Sequence, residues 1–143
     1  MCIRDRGSNS GIKYRVRNYD SKVLGCEFQM LDDKPGREFA KGATGSLYAM
    51  YPPNEAKSVR PPGEWNSSRV VVRGNLVEHW LNGRQIVQVD TYSADWRDRL
   101  NVSKFSDHPN FGQPGPGRIM LQDHGGEVWF RELTLVPLER VWE

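Results

Sequence analysis

The chain is 143 residues long, the size of a single domain of roughly 100–200 residues, which argues against a multidomain machine. It is 37% apolar and 27% charged, with a mean hydropathy of -0.70; that is enough to fill a core, while no apolar run approaches the roughly 20 residues of a membrane-spanning helix. Twenty Lys and Arg against eighteen Asp and Glu leave +2, with the signs interleaved along the chain, which speaks against a nucleic-acid backbone binder.

In chain order, residues 1–6 are charged, show neither alternation nor a helix cap, and lack the apolar core of a secretion signal. They are set aside as a processing or assembly remnant, and the domain is taken as residues 7–143. Cys2 and Cys26 are too few for a disulfide framework. Residues 11–17 alternate, with Ile12, Tyr14 and Val16 on one face and Lys13, Arg15 and Arg17 on the other, as a half-buried strand requires. A turn over residues 19–25 leads to a strand at 26–31, with Glu27 and Gln29 opposite Phe28 and Met30. Residues 69–73, 76–81 and 85–89 are β-rich runs separated by Gly74-Asn75 and Asn82-Gly83, dipeptides suited to two-residue hairpin turns. The spacing predicts a three-stranded meander with Val70, Val72, Val77, His79, Leu81 and Ile86 on one side, and Arg69, Arg73, Glu78 and Trp80 on the other.

Residues 92–117 carry no strong period. Ser93-Ala94-Asp95-Trp96 reads as a helix start with Ser93 or Asp95 as cap, and the remainder as a long surface excursion able to wall a cleft. Strands at 118–123 and 127–136 follow, joined by His124-Gly125-Gly126, again hairpin chemistry. About seven strands, fourteen Gly and nine Pro and no long helix point to an all-β fold, an antiparallel β-sandwich or jelly roll.

Among polar positions, Glu27 and Gln29 share a strand face, and a bulge near Leu31 would bring Asp32 alongside; paired carboxylates suit acid–base work on a sugar. A solvated strand face ending in an acidic turn is the plainer explanation. His79 either satisfies a core hydrogen bond or projects into a concave face, and His124 sits at a strand end beside permissive glycines. Lys13 and Arg15 could stabilise an oxyanion, although charge on a solvent face is the default. Arg131 stands between Phe130 and Glu132, where an ion pair is expected. Trp65, Trp80, Trp96 and Trp129 could stack on a sugar or fill the core. No spacing of Cys or His marks a zinc site, and neither a nucleophile elbow nor a phosphate loop is present.

Several stretches together resemble one family. They are Asn9-Ser10-Gly11-Ile12-Lys13-Tyr14-Arg15, Gly25-Cys26-Glu27-Phe28-Gln29-Met30-Leu31-Asp32, Gly45-Ser46-Leu47-Tyr48 and Gly63-Glu64-Trp65-Asn66. They continue with Val77-Glu78-His79-Trp80-Leu81-Asn82-Gly83, Gly117-Arg118-Ile119-Met120-Leu121-Gln122-Asp123-His124-Gly125 and Val128-Trp129-Phe130-Arg131. In this order they look like the 3-keto-disaccharide hydrolase domain, formerly a domain of unknown function. The resemblance implies a concanavalin A-like lectin/glucanase sandwich whose concave sheet holds the sugar. It also implies further N-terminal strands in the family pattern and a periplasmic or secreted bacterial setting. Glu27, Gln29 and Asp32 are similar in spacing to the acidic strand motif of related glucanases, but with Gln in the middle and Asp last.

That resemblance makes the chain a glycosidase-like enzyme on 3-keto-glycosides, working by C2 deprotonation and elimination and then hydration. His79 or His124 is the candidate base, Glu27 or Asp32 the acid, and Lys13 and Arg15 stabilise the enolate, with Gln29, Trp80, Gln122 and Arg131 lining the substrate site. The sequence requires no cofactor, and a divalent metal could take the Lewis-acid role. The alternative is a non-catalytic carbohydrate-binding module on the same sandwich; a catalytic site would need Glu27, His79 and His124 to converge on one cleft.

Overall fold

The computed structural model describes residues 1–3 and 7–138. Among them are eight strands and one helix: β1 (Cys2–Ile3), β2 (Asn9–Tyr19), β3 (Lys22–Leu31), β4 (Ser68–Arg73), β5 (Leu76–Leu81), β6 (Arg84–Asp90), α1 (Ala94–Asn101), β7 (Arg118–Leu121) and β8 (Val128–Trp129). All pairings are antiparallel, in sheets ordered β3-β2-β7 and β4-β5-β6 and a small β1-β8 pair. The two three-stranded sheets pack face to face as a β-sandwich. Tyr14, Cys26, Phe28 and Met30 point inward from one, and Val77, His79, Leu81, Val87 and Val89 from the other.

The meander forms as its turns require. Asn82 and Gly83 both take positive φ, 49° and 80°, the left-handed pair a tight hairpin needs. Val70 pairs with His79 and Val72 with Val77. Between β5 and β6 the register slips between His79 and Trp80, so Ile86 is an extra residue; Ile86, Val87 and Val89 are all buried. A bulge lets consecutive residues enter the core.

A second bulge corrects the reading of β2. Register shifts fall between Tyr14 and Arg17 against β3 and between Lys13 and Val16 against β7, with Arg15 at φ 51°. The alternation therefore resets. Val16 leaves the Ile12–Tyr14 face and lies against Gly25, while Arg15 turns inward. The turn expected over residues 19–25 shrinks to Asp20-Ser21, both with positive φ. No bulge occurs near Leu31, which pairs regularly with Asn9.

Residues 92–117 are more than a surface excursion. Ser93 Oγ accepts from the Trp96 amide and caps α1, and Trp96, Leu100, Phe105 and Phe111 enter the core, with Phe105 and Phe111 stacked at 4.0 Å. Leu24 and Tyr19 pack against this group. The expected hairpin at residues 124–126 is also corrected: β7 pairs with β2 and β8 with β1, and residues 130–138 form no strand. Residues 1–3, set aside in the sequence reading, take part in the structure. The Met1 amino group donates to the Asn66 carbonyl at 2.8 Å, the Asn66 amide returns to the Met1 carbonyl, and Met1 and Cys2 are buried.

Candidate functional site

On the outward face of the β3-β2-β7 sheet, Lys13 of β2 pairs directly with Glu27 of β3. Lys13 Nζ stands 3.7 Å from Glu27 Oε2, and the Glu27 side chain is only 7% exposed. Gln29, next but one along β3, donates to Asn9 Oδ1 at 2.7 Å. Met120 lies opposite Lys13, and the Gln122 amide donates to the Gly11 carbonyl at 2.9 Å. The register thus sets Gly11, Lys13, Glu27, Gln29, Met120 and Gln122 on one face.

The loop after α1 builds the wall. A cleft of about 210 Å³ runs along β3 between Lys22, Gly25 and Glu27 on one side and Lys104, Phe105 and His108 on the other. Tyr48 braces two lining residues: its amide donates to the Glu27 carbonyl, and Lys104 Nζ sits 4.2 Å from the centre of its ring. Withdrawal from water pushes the Glu27 carboxyl above the usual glutamate range, opposed by the nearby charges of Lys13, Lys104 and His124. A carboxyl whose proton is held more tightly than usual, opening on a cleft lined by Lys13 and Lys104, is suited to donate that proton to a substrate.

The structure brings Glu27, Lys13 and Gln29 together, sets Gln122 on their face by register, and leaves the exposed His124 within electrostatic reach of Glu27. The other candidates lie elsewhere. His79 is fully buried between the sheets: Nδ1 donates to the Gly45 carbonyl at 2.9 Å and Nε2 accepts from the Tyr14 hydroxyl at 2.8 Å. Burial holds its pKa down at about 4, so the imidazole is neutral, and it does not open on the cleft. Arg15, rotated inward by the bulge, donates to the carbonyls of Gly74 and Gly112. It ties the β4–β5 turn and the loop around Gly112 to β2.

Asp32 accepts from the Gly7 amide at 3.0 Å at the end of β3. Trp80 is on the outer face of the opposite sheet, where the Arg69 guanidinium covers it at 4.3 Å. Arg131 lies over the Trp65 ring at 4.1 Å. Of the four tryptophans considered for stacking, Trp96 is wholly in the core.

Lys104, Tyr48, Lys22 and His108 were not among the residues chosen from sequence. The only advance signal was the length of the 92–117 segment, which does wall the cleft. Among the described residues no group of three or more His, Cys, Asp or Glu side chains is placed to hold a metal ion, and no helix is long and apolar enough to cross a membrane.

Residues 1–136 match the model of the 3-keto-alpha-glucoside-1,2-lyase-like domain. A protein of Bacteroides thetaiotaomicron named 3-keto-disaccharide hydrolase is 31% identical over an alignment covering 94% of this chain and 55% of that protein. A crystal structure of a candidate glycosyl hydrolase from Parabacteroides distasonis superposes with a TM-score of 0.73 at 35% identity, covering 87% of this chain and 63% of the other. A second from the same species gives 0.54 at 27% identity, over 62% and 47%. The chain thus spans little more than half the length of the curated relative it matches.

Proposed function

Because the chain belongs to the 3-keto-alpha-glucoside-1,2-lyase-like domain family, we propose that it cleaves glycosides carrying a ketone at C3, by elimination across C1 and C2 followed by hydration. The ketone acidifies the C2 proton, and its removal puts negative charge on the C3 oxygen. Collapse of that enolate restores the C3 carbonyl, forms a C1–C2 double bond and breaks the C1–O bond, with an acid protonating the departing oxygen. Water then adds back, its oxygen to C1 and a proton to C2.

Two groups lining the cleft, Glu27 and Lys13, and the exposed His124 within electrostatic reach of Glu27 fit these needs. Glu27, with its carboxyl pK raised, is the acid at the leaving oxygen. His124, the imidazole near that carboxyl, is the base at C2, a role His79 cannot share from the core. Lys13 supplies the positive charge at the enolate oxygen, a role Arg15 gives up by turning inward. The observation that carries the reading is the buried Glu27 carboxyl held 3.7 Å from Lys13 at the edge of an open cleft.

The test follows sugar release from a 3-keto glucoside and from its unoxidised parent, with and without chelator. Release from the keto compound alone, lost in Glu27→Gln, supports elimination; the chelator arm reports whether a divalent ion takes part. Release from neither, by a folded chain that binds sugar, would replace the reading with a non-catalytic carbohydrate-binding module.

A further inference from the structure

We propose that this cleft takes an anionic glycoside, with Lys22, Lys104 and His108 forming the subsite for its acid group. The inference rests on the glycoside reading above and adds a substrate class to it.

The cleft lining holds three lysines and a histidine against a single carboxylate, Glu27. Lys13 is matched by Glu27. Lys22 and Lys104 have no carboxylate at ion-pair distance among the described residues, whereas Lys57 elsewhere in the fold is closed against Asp33 at 2.6 Å. Lys104 is held in place, its ammonium over the rings of Tyr48 and Phe105 at 4.2 and 5.2 Å. Lys22 opens β3 at the hairpin, paired with Tyr19. The His108 ring is buried and packs on Tyr19 at 5.3 Å. Its one acidic partner at ion-pair distance among the described residues is Asp20, 3.9 Å away with its side chain 94% in solvent, where water screens it.

A neutral sugar is met by amides, hydroxyls and carboxylates, for which this surplus of cations has no use. Cations gathered in a cleft with apolar walls concentrate the field and draw in anions, and lysine ammonium groups act as point charges for carboxylate, sulfate or phosphate oxygens. The acid group can reside on the leaving group or on the sugar itself.

The experiment measures binding by titration calorimetry to the full chain at low and high salt. The probes are para-carboxyphenyl glucoside and phenyl glucuronide, each against neutral phenyl glucoside. At least one anionic probe should bind roughly 10-fold tighter than the neutral one at low salt, with the advantage shrinking at high salt. The preferred probe tells which part of the substrate carries the acid.

Lys22 is exposed, so Lys22→Gln and Lys22→Glu should fold, as circular dichroism would verify; the first should reduce the preference and the second abolish or invert it. Equal binding of all three probes, or a preference untouched in Lys22→Glu, overturns the proposal. Sugar release from the matching 3-keto compounds keeps the two readings apart. Cleavage of neutral and acidic substrates with equal kcat/KM removes the anionic subsite and leaves the activity. Lys22-dependent binding without cleavage removes the activity and leaves the subsite.

Discussion

Gly11 and Glu27 share one volume: a Cβ placed on Gly11 would lie 2.8 Å from Glu27 Cγ and 2.9 Å from its Cδ, and would overlap Oε1. The φ of Gly11 is not in the left-handed region, so glycine is there for space and not for backbone freedom. Gly11→Ala must displace the whole carboxylate arm, not merely its tip. Overpacking this buried contact should cost the fold about 1–3 kcal/mol, while turnover of a 3-keto glucoside by the folded protein falls about 100-fold as Glu27 leaves its position beside Lys13. Paired denaturation and kinetic measurements check this; unchanged turnover would separate Glu27 from the chemistry.

Glu27 itself should link activity and stability in opposite senses. Its raised pKa means that the folded state holds the proton more tightly than the unfolded chain. The contribution of Glu27 to stability is therefore greatest at low pH and declines as pH rises from about 4.3, the unfolded value, through the folded pKa. Glu27→Gln removes that decline, so its melting temperature at neutral pH should equal or exceed that of the parent, whereas kcat should fall by about 100-fold or more for loss of an acid. A melting series against pH on both proteins decides the first half, and initial rates the second.

The sequence made the meander legible because Gly74-Asn75 and Asn82-Gly83 leave the chain few ways to turn, and a turn of known length fixes register. Glu27, Lys13 and Gln29 were likewise readable, since β3 alternates without interruption past them. Bulges defeated the same logic. One extra residue in β2 carries Arg15 from the face of Lys13 to the interior, and one in β6 sends both Ile86 and Val87 inward; alternation has no mark for either. His79 was open between core and cleft, and only the positions of Tyr14 and Gly45, 65 and 34 residues away in sequence, settle it. Lys104 and His108 follow the same rule: their place beside Glu27 depends on Trp96, Leu100 and Phe105 anchoring a segment that has no period of its own.

The buried His79 should make the fold acid-sensitive. A pKa of about 4 in the folded state against about 6.5 unfolded means stability is full above about 6.5 and is lost as pH falls toward 4, by about 3 kcal/mol in all. Chemical denaturation between pH 7 and pH 4 should show this slope in the parent and a flatter one in His79→Gln. Tyr14→Phe, which leaves Nε2 without its donor, should cost about 1–3 kcal/mol at neutral pH. An unchanged slope in His79→Gln would mean that other groups carry the acid sensitivity.

Lys13 and Arg15, two residues apart on one strand, should separate completely on substitution. Arg15→Ala strips two carbonyls, those of Gly74 and Gly112, of a charged donor and should destabilise the fold by about 2–4 kcal/mol, with kcat per folded molecule close to the parent because the guanidinium does not face the cleft. Lys13→Met keeps the length and apolar stem of a side chain only 24% exposed, so its stability cost should stay below about 1 kcal/mol. Its rate should drop about 100-fold with the loss of the charge opposite the enolate. Should Arg15→Ala lose rate in the folded population while Lys13→Met does not, the catalytic face would be the one Arg15 occupies, and the bulge in β2 would have to be absent during turnover.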